Sequence, residues 1–93
     1  MENSKVENLI VGILTQMINH PDDLKIVRTL DAQGVLLTLS SHPLDAGLII
    51  GRNGDTLNSI RQLARMVGNT QRETVFVVYQ DHRGEYLKPK QGG

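Results

Sequence analysis

The sequence predicts an α+β domain: a two-layer sandwich with three helices on one face of a three-stranded sheet. Three observations predict it. Apolar residues recur at intervals of three and four between Val6 and Ile18 and again between Leu57 and Val67, the spacing of a helix with one buried stripe. Two runs, 35–40 and 74–79, carry the alternating or continuous β-branched character of strands. Between the helical stretches lies Ile49-Ile50-Gly51-Arg52-Asn53-Gly54-Asp55-Thr56, with two glycines three apart. With 93 residues the chain has material for one small core.

Taken in order, Val6, Leu9, Ile10, Ile13, Leu14, Met17 and Ile18 place one apolar stripe on a helix from Lys5 to Asn19, with Glu7, Asn8 and Gln16 on the wet side. His20-Pro21 stops it, because the residue before a proline is driven out of the helical region, and Asp22-Asp23 completes a capped turn. Leu24 to Leu30 and Val35 to Ser40 form a hairpin around Asp31-Ala32-Gln33-Gly34, with Gly34 in the left-handed position. In the second strand Val35, Leu37 and Leu39 make the core face. Ser41-His42-Pro43 starts a short helix to Ile50, the Ser41 hydroxyl capping and the proline sitting in the first turn. The next helix runs from Asp55 to Val67, with Leu57, Ile60, Leu63, Ala64 and Val67 on its buried side, and stops at Gly68-Asn69. Thr74 to Tyr79 reads as a central strand. The domain occupies 1–80, and 81–93 reads as a polar, mobile tail.

Formal net charge is +0, so no global field favours a polyanion. The distribution is uneven. Residues 1–50 hold three basic against six acidic side chains, and from Gly51 onward seven basic stand against four acidic. The basic end is the glycine-loop end. The chain has no cysteine, which excludes a disulfide framework and thiolate chemistry, and no apolar run is long enough to span a membrane. A cytoplasmic location is expected. His20, His42 and His82 stand in separate connectors without a second ligand at a recognisable spacing, and no nucleophile or lysine motif for phosphate accompanies Asp22-Asp23. No cofactor, metal or enzymatic activity is expected.

The glycine stretch has its own chemistry. Gly51 and Gly54 permit a sharp turn, the helix beginning after Gly54 offers unpaired amides at the positive end of its dipole, and Arg52 and Asn53 add a cation and a neutral donor. Such a loop suits phosphate. The bland alternative is a helix-helix corner. Arg61 and Arg65, one turn apart, extend the basic track or form a solvated face. Only Phe76, Tyr79 and Tyr86 are aromatic, which argues against a base-stacking platform and leaves an aliphatic groove.

The glycine loop and the order helix, strand, strand, helix, helix, strand together resemble a KH domain of type II. His20-Pro21-Asp22-Asp23, and His42-Pro43-Leu44-Asp45-Ala46-Gly47 leading into the loop, are similar to the connectors of the KhpA (YlqC) family of small bacterial single-domain KH proteins, over Lys5 to Gln80. Asp55-Thr56-Leu57 looks more like the KH domain of the larger Jag (KhpB) proteins, whose second nucleic-acid-binding domain is absent here. The resemblance implies that single-stranded RNA is held by Ile50, Gly51, Arg52, Asn53, Gly54, Asp55, Thr56 and Leu57, with Arg61 and Arg65 beyond. It further implies post-transcriptional regulation, and a homodimer or a heterodimer with a Jag/KhpB-type partner. Asp55 places a negative charge beside the phosphate position. The alternative is a protein-interaction subunit whose loop is only structural.

Overall fold

The computed structural model describes residues 5–87. Its elements are α1 (Lys5–Leu14), β1 (Lys25–Asp31), β2 (Gly34–Ser40), α2 (Ala46–Ile50), α3 (Asp55–Thr70), β3 (Val75–Gln80) and a two-residue β4 (Tyr86–Leu87). Single 3-10 turns at Pro21–Asp23, Pro43–Asp45 and Arg52–Gly54 join them. β1 and β2 pair antiparallel, β2 and β3 parallel, and β4 adds antiparallel to β3. The three long strands therefore make a mixed sheet with the three helices over it, as the pattern predicts; the short β4 adds a fourth strand, and in the order β1-β2-β3-β4 both β2 and β3 lie inside the sheet.

The pleat decides the layers. Val35, Leu37 and Leu39 of β2 and Val75, Val77 and Tyr79 of β3 share one face and are buried. Against them pack Val6, Ile10 and Leu14 of α1, Ile49 of α2, and Leu57, Ile60 and Ala64 of α3. Ile18 closes the core from the α1–β1 connector. Burial of such side chains contributes about 1.5–3 kcal/mol each before entropy is counted. The buried Tyr79 hydroxyl, which burial would penalise if unpaired, meets Ser41 Oγ at 2.8 Å.

Several local expectations are corrected. α1 ends at Leu14 and not at Asn19. Thr15 bonds its hydroxyl to the Val11 carbonyl at 2.7 Å, and the following amides bond three residues back, Gln16 to Ile13 and Met17 to Leu14, which tightens the last turn. Glu7 is buried, because Arg28 reaches over from β1 to join it at 3.3 Å and Glu73 at 2.7 Å. Leu63 stays exposed at the rim of the α3 stripe. α3 continues through Gly68 to Thr70. Gly68 is needed there for closeness: a Cβ would come within 2.6 Å of Val75 Cγ2 and 3.0 Å of the Glu73 carbonyl. The left-handed residue after the helix is Arg72, at φ 59°.

The hairpin forms as expected, tied by Asp31 Oδ1, which accepts the Gln33 and Gly34 amides at 2.8 and 3.1 Å. Past Gln80 the chain still pairs with the sheet. Asp81 Oδ1 accepts the Arg83 and Glu85 amides, both at 2.9 Å, and this turn returns the chain to pair Tyr86 with Gln80. Of the expected tail, 88–93 lies outside the described residues.

Candidate nucleic-acid interface

The loop is built from the end of α2. This helix has only five residues, and it is held by Ile49, which is fully buried. It ends where the Gly51 amide bonds to the Gly47 carbonyl at 2.9 Å, with Gly51 at φ 80° and ψ 175°. No other residue fits at Gly51: the positive φ lies outside the regions that an L side chain readily adopts, and a Cβ would overlap the Thr56 hydroxyl. Asn53 (φ 55°) and Gly54 (φ 78°) both take left-handed conformations. The turn closes on itself through the Gly54 amide and the Gly51 carbonyl, at 3.2 Å.

What this turn displays is a set of unengaged groups. Arg52 and Asn53 are exposed, and neither side chain makes a hydrogen bond or ion pair among the described residues. The N-cap of α3 is Gly54, so no side chain caps the helix; the Asp55 amide donates to the Arg52 carbonyl, and the amides that follow it stand at the positive end of a 16-residue dipole. Asp55 is exposed in that first turn. The arrangement can take an anion on amides and the Arg52 fork, with the Asp55 carboxylate limiting its charge.

The remaining expected residues divide. Ile50 is half-buried beside the loop and is able to offer aliphatic surface; Leu57, 1% exposed, belongs to the core and cannot line an open groove. Thr56 is half-buried against Gly51. Arg61 is not a free surface cation: it is half-buried, donates to Asn58 Oδ1 at 3.2 Å, and keeps a buried Nε that has no hydrogen-bond partner among the described residues. Arg65 is exposed one turn further on.

The structure also brings together residues that the sequence kept apart. The Asp45 carboxylate, buried at the start of α2, accepts the Asn19 amide at 3.1 Å, the His20 amide at 2.8 Å and a contact from His20 Nδ1 at 3.2 Å. The His20 ring stacks on the His42 ring at 3.9 Å and 13°. His42 Nδ1 in turn accepts the Leu44 amide at 3.1 Å, so His42 and not Ser41 caps this end. Burial acts to raise the Asp45 pKa, but the Asn19 and His20 amides and the His20 ring outweigh it and hold the carboxyl below its ordinary value. The sequence carried one signal of this clasp. The pattern His-Pro-x-Asp occurs twice, at His20–Asp23 and His42–Asp45, and each copy makes a 3-10 turn with its proline at the start. No group of three or more potential metal ligands gathers among the described residues, and no helix among them is long and apolar enough to cross a membrane.

Comparison with known proteins agrees with this architecture. The KhpA/KhpB KH domain family matches residues 7–78. "RNA-binding protein KhpA" of Bacillus subtilis (strain 168) is 41% identical over 61 residues, covering 66% of this chain and 75% of that protein. The protein of the same name from Leifsonia xyli subsp. xyli is 32% identical over 69 residues, 74% of this chain and 91% of its own. That of Halalkalibacterium halodurans is 29% identical over 70 residues, 75% and 92%. No solved structure gives a significant match. The chain belongs to the KhpA/KhpB KH domain family.

Proposed function

We propose that this KhpA/KhpB-family chain binds single-stranded RNA at the Gly51–Gly54 turn, holding the sugar-phosphate backbone on the α3 amides and Arg52 while bases rest on aliphatic surface at Ile50. The observation that carries the reading is the exposed, unengaged pair Arg52 and Asn53 on a turn that leaves the α3 N-terminus uncapped. The relatives' name, RNA-binding protein, supports it. Arg65 follows as a second cation along α3. Arg61, engaged with Asn58, is a weaker contact. With zero net charge and few cations at the loop, one copy binds weakly. Pairing with a second copy or a Jag/KhpB-type protein brings two loops to one strand and raises avidity without new contacts. The setting is cytoplasmic post-transcriptional regulation.

The test is the double substitution Arg52→Asp with Asn53→Asp. It removes one cation and places two anions beside Asp55, so affinity for single-stranded RNA at moderate salt falls by an order of magnitude or more while the melt stays that of the parent. Parent-like RNA affinity would make the turn a corner and the chain a protein-interaction subunit.

A further inference from the structure

Of the six asparagines in the chain, Asn53 is the one followed by glycine. That neighbour matters because the amide carbon of an asparagine side chain is open to attack by the backbone nitrogen of the next residue. A following glycine, without a Cβ, leaves the five-membered ring room to close. The fold sets Asn53 apart a second time. Asn8, Asn58 and Asn69 lie within α1 and α3, where helical hydrogen bonds fix the next peptide, and Asn58 Oδ1 also accepts from Arg61 at 3.2 Å. Asn19 stands in a connector, but the nitrogen that would attack it, the His20 amide, donates to the Asp45 carboxylate at 2.8 Å. Asn3 lies outside the described residues. Asn53 has none of this protection. Its side chain is exposed and makes no hydrogen bond among the described residues. The Gly54 amide is restrained by one bond, to the Gly51 carbonyl at 3.2 Å, across two consecutive left-handed residues with φ 55° and 78°. A Cβ at Gly54 would meet nothing within 4 Å, so the space beside the attacking residue is open.

We infer that Asn53 is a site of spontaneous deamidation, through a succinimide formed with Gly54, and that the product closes the phosphate position of the glycine turn; the consequence for RNA rests on the loop reading above. The Gly54 nitrogen gives its proton to solvent base and bonds to Asn53 Cγ. The Cγ–Nδ2 bond breaks, and ammonia leaves with a proton from water. Water then opens the ring at one of its two carbonyls. Opening at Cγ yields aspartate; opening at the main-chain carbonyl yields isoaspartate, whose chain runs through Cβ. The sum is one water consumed and one ammonia released, with no oxidant or reductant.

Either product places a carboxylate between Arg52 and Asp55, where the parent has a neutral amide. The turn then sets one cation against two anions and repels the phosphate that it otherwise accepts. Attack also requires the Asn53–Gly54 peptide to rotate out of the observed turn, in which Asn53 has ψ 24°. RNA held on the turn and the α3 amides opposes that rotation. Occupied copies therefore keep their amide and idle copies lose it, so the site records how long a copy has stood empty.

The experiment incubates the full chain in mildly alkaline buffer, alone and with excess single-stranded RNA of roughly four nucleotides. Residue 53 is followed by pepsin digestion at low pH and fragmentation mass spectrometry that separates aspartate from isoaspartate, and RNA affinity of withdrawn samples by fluorescence anisotropy. Asn53→Gly, which accepts φ 55° without strain and has no amide to lose, runs beside the parent. Residue 53 is expected to convert before every other asparagine, and more slowly with RNA. The converted parent binds about five-fold more weakly than fresh protein, the upper end of what one exposed charge contributes, while Asn53→Gly keeps its own starting affinity. Asn53 still intact after another asparagine has converted would overturn the inference, as would an equal decline in Asn53→Gly or equal rates with and without RNA. A converted chain that binds like fresh protein, while fresh Arg52→Asp, Asn53→Asp protein does not, overturns the inference and leaves the loop reading standing. Parent-like binding by both overturns the loop reading, and the inference with it.

Discussion

The two ends of α2, a helix of five residues, are built on opposite principles. At the start, Asp45 is buried with three contacts to the α1–β1 connector, and His42 engages the Leu44 amide. At the far end Arg52 and Asn53 project with no partner among the described residues. A helix this short has almost no stability of its own. Its first turn must therefore be fixed by tertiary contacts so that its last residue can present an open turn. The difference teaches where the two tasks lie: donors and acceptors at the start are saturated and hold the helix, while those at the far end are left free for a ligand.

The comparison breaks most visibly at Asp45. Asp45→Ala removes an acceptor from two amides and an imidazole, and the melting temperature followed by circular dichroism is expected to fall by roughly ten degrees. A fall of only about two degrees would mean that α2 is held elsewhere.

Glycine replacement at the loop sharpens the contrast. Gly51→Ala must strain φ and displace Thr56, whereas Gly54→Ala meets nothing within 4 Å and bears the conformational cost alone, about 1–2 kcal/mol. Denaturant titration should find Gly51→Ala the less stable of the two. Equal losses would remove the Thr56 contact from the explanation.

Acid offers a milder perturbation. The Asp45 pKa is lowered in the folded chain from 3.8, so its contribution is complete above the unfolded value and is lost as pH falls through the folded one. The gap in melting temperature between the parent and Asp45→Asn is therefore constant near neutrality and narrows below pH 3.8. A gap that widens on acidification contradicts this. The smallest effect is at the free end: Arg52→Asp with Asn53→Asp leaves the melting temperature within about two degrees of the parent, since no contact is removed.

What could be read in advance follows from the range of each interaction. The stripe from Val6 to Ile18 and the alternation from Val35 to Leu39 depend on local period, and Val6, Ile10, Leu14, Ile18, Val35, Leu37 and Leu39 are core residues in the structure, while Leu9 and Ile13 are half-buried and Met17 is exposed. The glycine loop was legible for the same reason, because Gly51 and Gly54 encode backbone angles in place. Asp45 was not. Its partners Asn19 and His20 lie 26 and 25 residues away, and only the fold reveals that its carboxylate is enclosed. Glu7 was assigned to water because Arg28, 21 residues on, could not be foreseen beside it. Gly68 resembles a helix stop by composition, but its place is decided by the approach of Val75. The backbone of the site and the burial of Leu57 were thus visible from sequence, whereas the half-burial of Arg61 required the packing.

The parallel pairing of β2 with β3 has a kinetic consequence. Antiparallel β1 and β2 close over a two-residue turn, Ala32-Gln33, but β3 reaches β2 only after the chain has passed through α2, the glycine loop and α3. The loop therefore lies inside the longest closure that the sheet demands, the step at which chain entropy opposes folding most. Inserting flexible residues between Arg52 and Asn53 should slow refolding in stopped-flow measurements while leaving the unfolding rate nearly unchanged. The turn that is open to a ligand in the finished domain is thereby also a determinant of how quickly the domain forms.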